Sequence, residues 1–504
     1  MTVHANQVIE NDDSTETLLI DSLFTPDNIS LPEEDSFGQL STALKDSESD
    51  KSIATHERNV DSDETLATVV QQSAGSTVVR VLLMAEACNP DWPSVPLVGY
   101  NQARALAERK DLRVTLVTHE RNRANLEADE LMMLAEEVVF INSDAIARPF
   151  YLLGKLLRGG KSLGWTTNMA MALPGYLYFE RLVWKRFRKE LQLGEFDVIH
   201  RLTPVSPTMP CPLVKWTDTP VVIGPINGGL EWPVEYPEIK SGEREWMAPL
   251  RRLYRYMPYQ RSMRIKSAAI VVGSHSTADE IRKVSGSRMH YLPENGFDMA
   301  LIKSNGTPEF SPSRFQQTGL RLISVARLVP YKALDIALEA MAECRNSWAS
   351  WTIVGDGPML QSLERRVAEL GLGNQVHFTG WVTQAEVVRL LIHHDLLIQP
   401  SLREFGGGAV LEAMACGTVP LIVNYGGPAE LVAEGCGIKV PMAARDTLRE
   451  SLSKAVSQIA CNREKFLAMS QNARNHVETN LTWQAKAAWF VELYRNVIQK
   501  SRQH

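Results

Sequence analysis

The chain has 504 residues, a formal net charge of −6 and 44% apolar side chains, a length that exceeds one ordinary hydrophobic core and sets the expectation of at least two domains. No window of about twenty apolar residues occurs, so no transmembrane helix is expected. Cys88, Cys211, Cys344, Cys416, Cys436 and Cys461 fall outside any CxxC or Cys/His metal spacing, so no structural metal and a reducing, cytoplasmic setting are expected.

Charge is unevenly placed. Residues 1–76 hold sixteen Asp and Glu against three Lys and Arg, a balance of −13, with Phe24 and Phe37 as their aromatic residues. Such a segment cannot bury enough apolar area to order itself, so it is expected to be a disordered acidic tail open to a partner. The start lacks a basic run followed by an apolar one, so no signal peptide is expected. The remaining residues, 77–504, sum to +7, which suits an anionic substrate or membrane surface.

The first folded element is an apolar strand over 77–87, followed by a loop, CNPDWPSVPLVGYN, a helix over 101–110 and a second strand, RVTLVTH. This order opens a doubly wound sheet, whose first loop lies at the carboxyl edge where ligands bind. The loop keeps one glycine, Gly99, with Pro90, Pro93 and Pro96 stiffening it. A third strand is read at 138–142. Residues 150–189 are rich in Leu, aromatic and basic side chains, as are 249–266. Two readings stand for these stretches: helices packed on the domain with Lys and Arg reaching to water, or a basic, aromatic face resting on an anionic membrane. No nucleic-acid-binding motif accompanies them, so no nucleic acid is expected.

FDVIH gives a strand over 196–200 with His200 at its expected carboxyl end, where an imidazole serves either as a general base or as a satisfied loop residue. PVVIGPINGGLEWP runs a strand into a turn in which Asn227, Gly228 and Gly229 offer backbone N–H groups to a phosphate, or simply form a tight turn. A buried strand follows at 267–274, then HYLPENGFD at 290–298 and a polar linker at 303–319.

The second half repeats the strand and helix alternation from 320 to 440, which predicts a second Rossmann-like domain. Arg327 ends a strand and Lys332 stands five positions on, where a helix starts; two cations on such a loop suit a diphosphate. A short buried strand at 393–400 then leads into SLREFGGGAVLEAMACG. Gly406, Gly407 and Gly408 precede a helix over 409–415, and a helix N-terminus has unsatisfied N–H groups and favours anions. Glu404 and Glu412 frame this turn eight positions apart; an ordinary α/β turn with a solvated Glu412 is the plain alternative. An amphipathic helix closes the chain at 481–499.

Glu404, the glycine turn, Glu412 within EAMACG, and then GG-x-x-E resemble the donor-site motif of the family 4 retaining glycosyltransferases. The similarity extends over 78–500: Arg327 and Lys332, GDGP at 355–358, the QVHFTGWV strand ending near Val382, GP-x-x-GG at 224–229 and PENGFD at 293–298. The resemblance implies a GT-B fold, two Rossmann-like domains facing across a cleft. The expected boundaries are 77–302 for the acceptor side, 303–319 for the linker, 320–480 for the donor side, and 481–504 for a helix crossing back to the first domain.

It implies an enzyme that moves a sugar from a nucleotide-diphosphate sugar to a sugar, lipid-linked or small-molecule hydroxyl, in polysaccharide, glycolipid or glycoside synthesis, with retention of configuration. No metal or other cofactor is expected. Arg327 and Lys332 would hold the pyrophosphate with Phe405 and the three glycines, Glu412 the ribose, Val382 the base, while Glu404 and His200 would act at the sugar. Departures from the family pattern are Leu202 in place of a second His, Ala326 and Ala333 in place of glycines, and Phe405 directly after Glu404. Two other classes share the architecture: a nucleotide-sugar epimerase or sugar-phosphate synthase, and a non-catalytic nucleotide-sugar-binding scaffold. Retention of both Glu residues with both cations argues against a scaffold. The setting expected is cytoplasmic, with peripheral contact at the inner membrane face.

Overall fold

The computed structural model describes residues 78–158, 165–242, 252–285, 288–304 and 319–503. The acidic segment 1–76, most of the expected linker, and residues 159–164 and 249–251 of the two basic, aromatic stretches lie outside the described residues. Two all-parallel sheets organise the rest. The first comprises β1 (Val79–Ala85), β2 (Leu112–His119), β3 (Glu137–Ile141), β4 (Val198–Thr203), β5 (Val221–Ile226), β6 (Ala269–Val272) and β7 (Met289–Tyr291), in the order 3-2-1-4-5-6-7. The second comprises β8 (Leu320–Val325), β9 (Trp348–Val354), β10 (Val376–Gly380), β11 (Leu396–Gln399), β12 (Val419–Val423) and β13 (Ile438–Val440), in the order 10-9-8-11-12-13. Their central strands are apolar runs because helices cover both faces: six of the seven residues of β1 are buried, and all four of β11. Each sheet reverses direction beside its first strand, at β1/β4 and β8/β11, which opens a crevice at the carboxyl edge.

The first helix spans Val95–Ala107, beginning six residues before the expected start. Pro96 stands in its first turn, where a missing N–H costs no helical bond. Gly99 is therefore inside the helix and not in an open loop. An added Cβ there would lie 2.2 Å from the Ala87 carbonyl oxygen, so this glycine lets the helix rest on the end of β1.

Both aromatic and basic stretches contribute side chains to the core. The helix Trp165–Gln192 buries Tyr176, Phe179, Val183, Phe187 and Leu191, a stripe at three- and four-residue spacing, against the first sheet. Tyr254, Gln260, Met263 and Arg264 are buried likewise. The helix Asp144–Arg158 differs, leaving Ile146, Phe150 and Leu152 exposed. No helix among the described residues is long and apolar enough to cross a membrane.

The terminal helix, Trp483–Ser501, packs into the core of the first sheet through Trp483, Ala487, Phe490, Val491, Tyr494 and Val497. His200 is what it meets. This residue is the third of six in β4 and wholly buried, not at the strand end. Its Nδ1 accepts from the Tyr494 hydroxyl at 2.6 Å and its Nε2 donates to the Gly224 carbonyl at 2.6 Å, with the Phe490 ring 4.7 Å away. Both nitrogens are occupied, so His200 joins the terminal helix to the sheet and is corrected from the expected catalytic position.

Burial pushes the His200 imidazole down to about 4, from an ordinary value of 6.5. Between those values the unfolded chain binds more protons than the folded one. The stability due to this residue is therefore complete above pH 6.5 and lost as pH falls through about 4. His200→Ala is expected to cost about 2–4 kcal/mol in urea titration and Tyr494→Phe about 1 kcal/mol, with the His200 share of the acid loss absent from the Ala variant.

Candidate functional site

At the carboxyl edge of the second sheet, the loops after β8, β10 and β11 bring Arg327, Val382 and Glu404 to one side. Arg327 is held between two main-chain bonds, Ala326 N–H to Val354 O at 3.0 Å and Leu328 N–H to Asp356 O at 2.8 Å. A single turn over Pro330–Lys332 follows, closed by Ala333 in the left-handed region (φ 52°) ahead of the helix Leu334–Glu343. Here a family glycine would sit without steric cost, and this chain accepts a buried Ala. Leu402 N–H donates to Tyr331 O at 2.8 Å and ties that turn to the loop after β11.

The consequence is an ion pair. Lys332 Nζ lies 3.0 Å from Glu404 Oε2, both side chains mostly buried. Burial alone would raise the Glu404 carboxyl, but Lys332, with Ser401 and Gln399 beside it, outweighs burial and holds it below its ordinary value.

The helix Gly408–Ala415 begins after Gly407, which is left-handed at φ 61°. Gly407 O accepts from Val410 and Leu411 at 3.0 and 3.1 Å, so the N–H groups of Gly408 and Ala409 precede the helical ladder. An added Cβ at Gly408 would meet no atom within 4 Å, so this helix end faces open space. Glu412, half-buried one turn further on, accepts from Gln384 Nε2 at 3.1 Å. Lacking a cation, its carboxyl is pushed up by burial to about 7. Val382, just past β10, is half-buried and packs on the core between the second sheet and its helices.

The first domain grips this loop from the other side. Asn295 Nδ2 donates to Gly406 O at 2.9 Å, and Asn227 Nδ2 donates to Glu294 at 2.7 Å and to Phe405 O at 3.4 Å. A Cβ on Gly406 would stand 2.4 Å from Asn295 Nδ2 and 2.8 Å from Glu294 Oε1, so a larger residue would have to displace these side chains. Both carboxylate oxygens of Glu430 accept from His275 N–H at 3.0 Å, across the domains. Arg403 donates to Leu230 O and stacks over Trp232 at 4.5 Å and Phe405 at 5.0 Å. Gly427 N–H donates to Glu404 O at 3.0 Å, and a Cβ there would be 1.8 Å from Phe405 O.

The expected phosphate loop of the first domain is corrected by this arrangement. Gly228 N–H is directed to Asn227 Oδ1 at 2.8 Å and Thr277 Oγ1 at 3.0 Å, and Gly229 turns the chain at φ 85° toward the second domain. Asn227 thus positions the Phe405 carbonyl. The sequence reading missed Glu294, Asn295, Arg403 and Trp232 as site residues. PENGFD and GP-x-x-GG were the available signals, but a contact between domains has no spacing in sequence.

Two Rossmann-like domains with facing carboxyl edges define the GT-B fold. A sucrose-phosphate synthase from Thermosynechococcus elongatus has the same architecture, with a TM-score of 0.57 at 16% identity over 84% of this chain and 100% of that one. Residues 307–476 match the family described as glycosyl transferases group 1. A 2-deoxystreptamine glucosyltransferase of Streptomyces kanamyceticus is 27% identical over 37% of this chain and 48% of its own length. A GDP-mannose-dependent alpha-(1-6)-phosphatidylinositol monomannoside mannosyltransferase of Mycolicibacterium smegmatis is 29% identical over 34% of this chain and 47% of its own. The chain thus spans about half the length of these curated relatives.

Glu412 makes a pH prediction. Its folded value of about 7 exceeds the ordinary 4.5, so its contribution to stability is complete below about 4.5 and lost as pH rises through about 7. Denaturant titrations from pH 5 to 8.5 should show this component in the parent and not in Glu412→Gln.

Proposed function

We propose that the chain is a retaining glycosyltransferase moving a hexosyl unit from a nucleoside-diphosphate sugar to a hydroxyl acceptor. The observation that carries this reading is the mostly buried Lys332–Glu404 pair, 3.0 Å apart, at the sheet edge that also presents Arg327. The pyrophosphate takes Arg327 and Lys332, with the Gly408 helix end supplying N–H donors. Glu412 accepts from the ribose hydroxyls, Val382 borders the base, and Glu404 orients the sugar and opposes positive charge at its anomeric carbon.

In the reaction the bond from the anomeric carbon to the phosphate oxygen breaks while the acceptor oxygen bonds to the same face. The acceptor proton passes to the departing phosphate. Charge builds on that phosphate, and fixed donors aimed at developing charge are each worth about 10²–10³ in rate. These cations and N–H groups make a metal unnecessary to the step.

The names of the relatives, a glucosyltransferase and a phosphatidylinositol mannoside mannosyltransferase, support a hexosyl donor and a glycoside or lipid-linked acceptor. For a lipid-linked acceptor the helix Asp144–Arg158 is the contact we assign to the inner membrane face. It exposes Ile146, Phe150 and Leu152, and residues 145–179 hold four Lys and Arg with no Asp or Glu. A basic segment gains about 1 kcal/mol per cation near an anionic surface.

A panel of UDP-, GDP- and ADP-sugars tests the donor site. One nucleotide sugar should raise the melting temperature, since ligand at a hundred times its Kd adds about 2.7 kcal/mol, and Arg327→Ala should abolish the shift. Glu404→Ala should keep nucleotide binding and lower kcat about 10²–10³-fold, with parent activity unchanged by EDTA. A scaffold would bind without turnover. Flotation with phosphatidylglycerol vesicles should capture the parent at low salt, and Phe150→Ser with Leu152→Ser should reduce capture.

A further inference from the structure

Glu404 has more polar neighbours than completed bonds. Its Oε2 faces Lys332 Nζ at 3.0 Å yet has no hydrogen bond in good geometry. Ser401 Oγ and both amide atoms of Gln399 are likewise buried and complete no hydrogen bond in good geometry, although both side chains already bear weakly on the Glu404 carboxyl, with Ser401 3% and Gln399 1% exposed. Both side chains stand close enough to act on the Glu404 carboxyl. Buried donors without acceptors are costly, and here their cost has a rationale in a second state of the site.

That state follows from the donor-site reading, on which this inference rests. A diphosphate carries more charge than one carboxylate and draws Lys332 toward itself. Glu404 would then be a buried anion deprived of its cation. We propose that Gln399 and Ser401 are positioning residues that receive the Glu404 carboxylate when a nucleoside diphosphate takes Lys332, so that the Lys332–Glu404 pair is a lock opened by the donor. Gln399 Nε2–H and Ser401 O–H donate to the carboxylate in the opened state. Glu404 thereby stays charged and fixed while the sugar is bound.

The lock lowers affinity in the resting protein, which gives the inference a sign that simple site damage lacks. Calorimetric titration of the full chain with UDP, GDP and ADP is the test. Glu404→Gln frees Lys332 and should tighten binding of the preferred nucleoside diphosphate about fivefold, the strength of one partly buried ion pair. Gln399→Leu with Ser401→Ala should weaken it about fivefold in the parent and leave it unchanged in a Glu404→Gln background. Ser401→Ala alone should show a smaller loss with the same dependence on Glu404, should the double variant fail to fold.

Unchanged or weaker binding by Glu404→Gln overturns the lock. A loss from the Gln399 and Ser401 changes that persists without Glu404 overturns their role as its receivers and marks them as structural. Absence of binding by the parent to all three nucleotides overturns the donor-site reading itself, and this inference with it.

Discussion

Two backbone carbonyls, those of Phe405 and Gly406, form a central contact between the halves of this molecule. Asn227 and Asn295 of the first domain donate to them, and Glu294 is held in the same network by Asn227. A parallel sheet gathers its loops at the carboxyl edge, and here two such edges meet at one glycine. The terminal helix supports the contact from behind. Lys486, wholly buried and pushed down to about 7 by that burial, donates to Pro293 O, and Gly296 lies against the Trp483 ring. The loop after β11 is thus a shared element of both domains.

The two carboxylates of the glycine turn lie eight positions apart in sequence and are driven in opposite directions. Burial raises both; Lys332 answers it at Glu404, while at Glu412 an amide from Gln384 does not. A cation within ion-pair distance favours the charged form far more than a neutral donor does. The result is one carboxylate kept ionised beside Lys332 and another whose charge is established near neutrality. That division follows from partners supplied by the turn Pro330–Lys332 after β8 and by the helix Gln384–His393.

Strand placement also decides what a residue can do. His200 and Arg201 are adjacent in β4, on opposite faces of the sheet, and both are wholly buried. The imidazole meets the terminal helix; the guanidinium donates to Met209 O on the other side. Neither reaches the cleft. A histidine two residues further along the strand would have stood nearer the edge, and Leu202 occupies that place and is buried.

Strand and helix order, the two-domain division and the positions of Arg327, Lys332, Glu404 and Glu412 were legible in the sequence. They depend on local pattern: apolar runs of strand length, glycines before helices, and charges at fixed offsets in loops. The expected strand at 138–142 and the helix at 409–415 agree with Glu137–Ile141 and Gly408–Ala415 to within a residue. Tertiary structure alone decided that His200 is a packing residue, that Gly99 is helical, that Asn227 serves a carbonyl in place of a phosphate, and that Lys332 rests on Glu404. Each of these depends on which residue arrives from a distant part of the chain, 294 positions away for His200 and Tyr494. Spacing along the chain carries no record of such distances, because burial and pairing are set only when the sheets and helices close on one another.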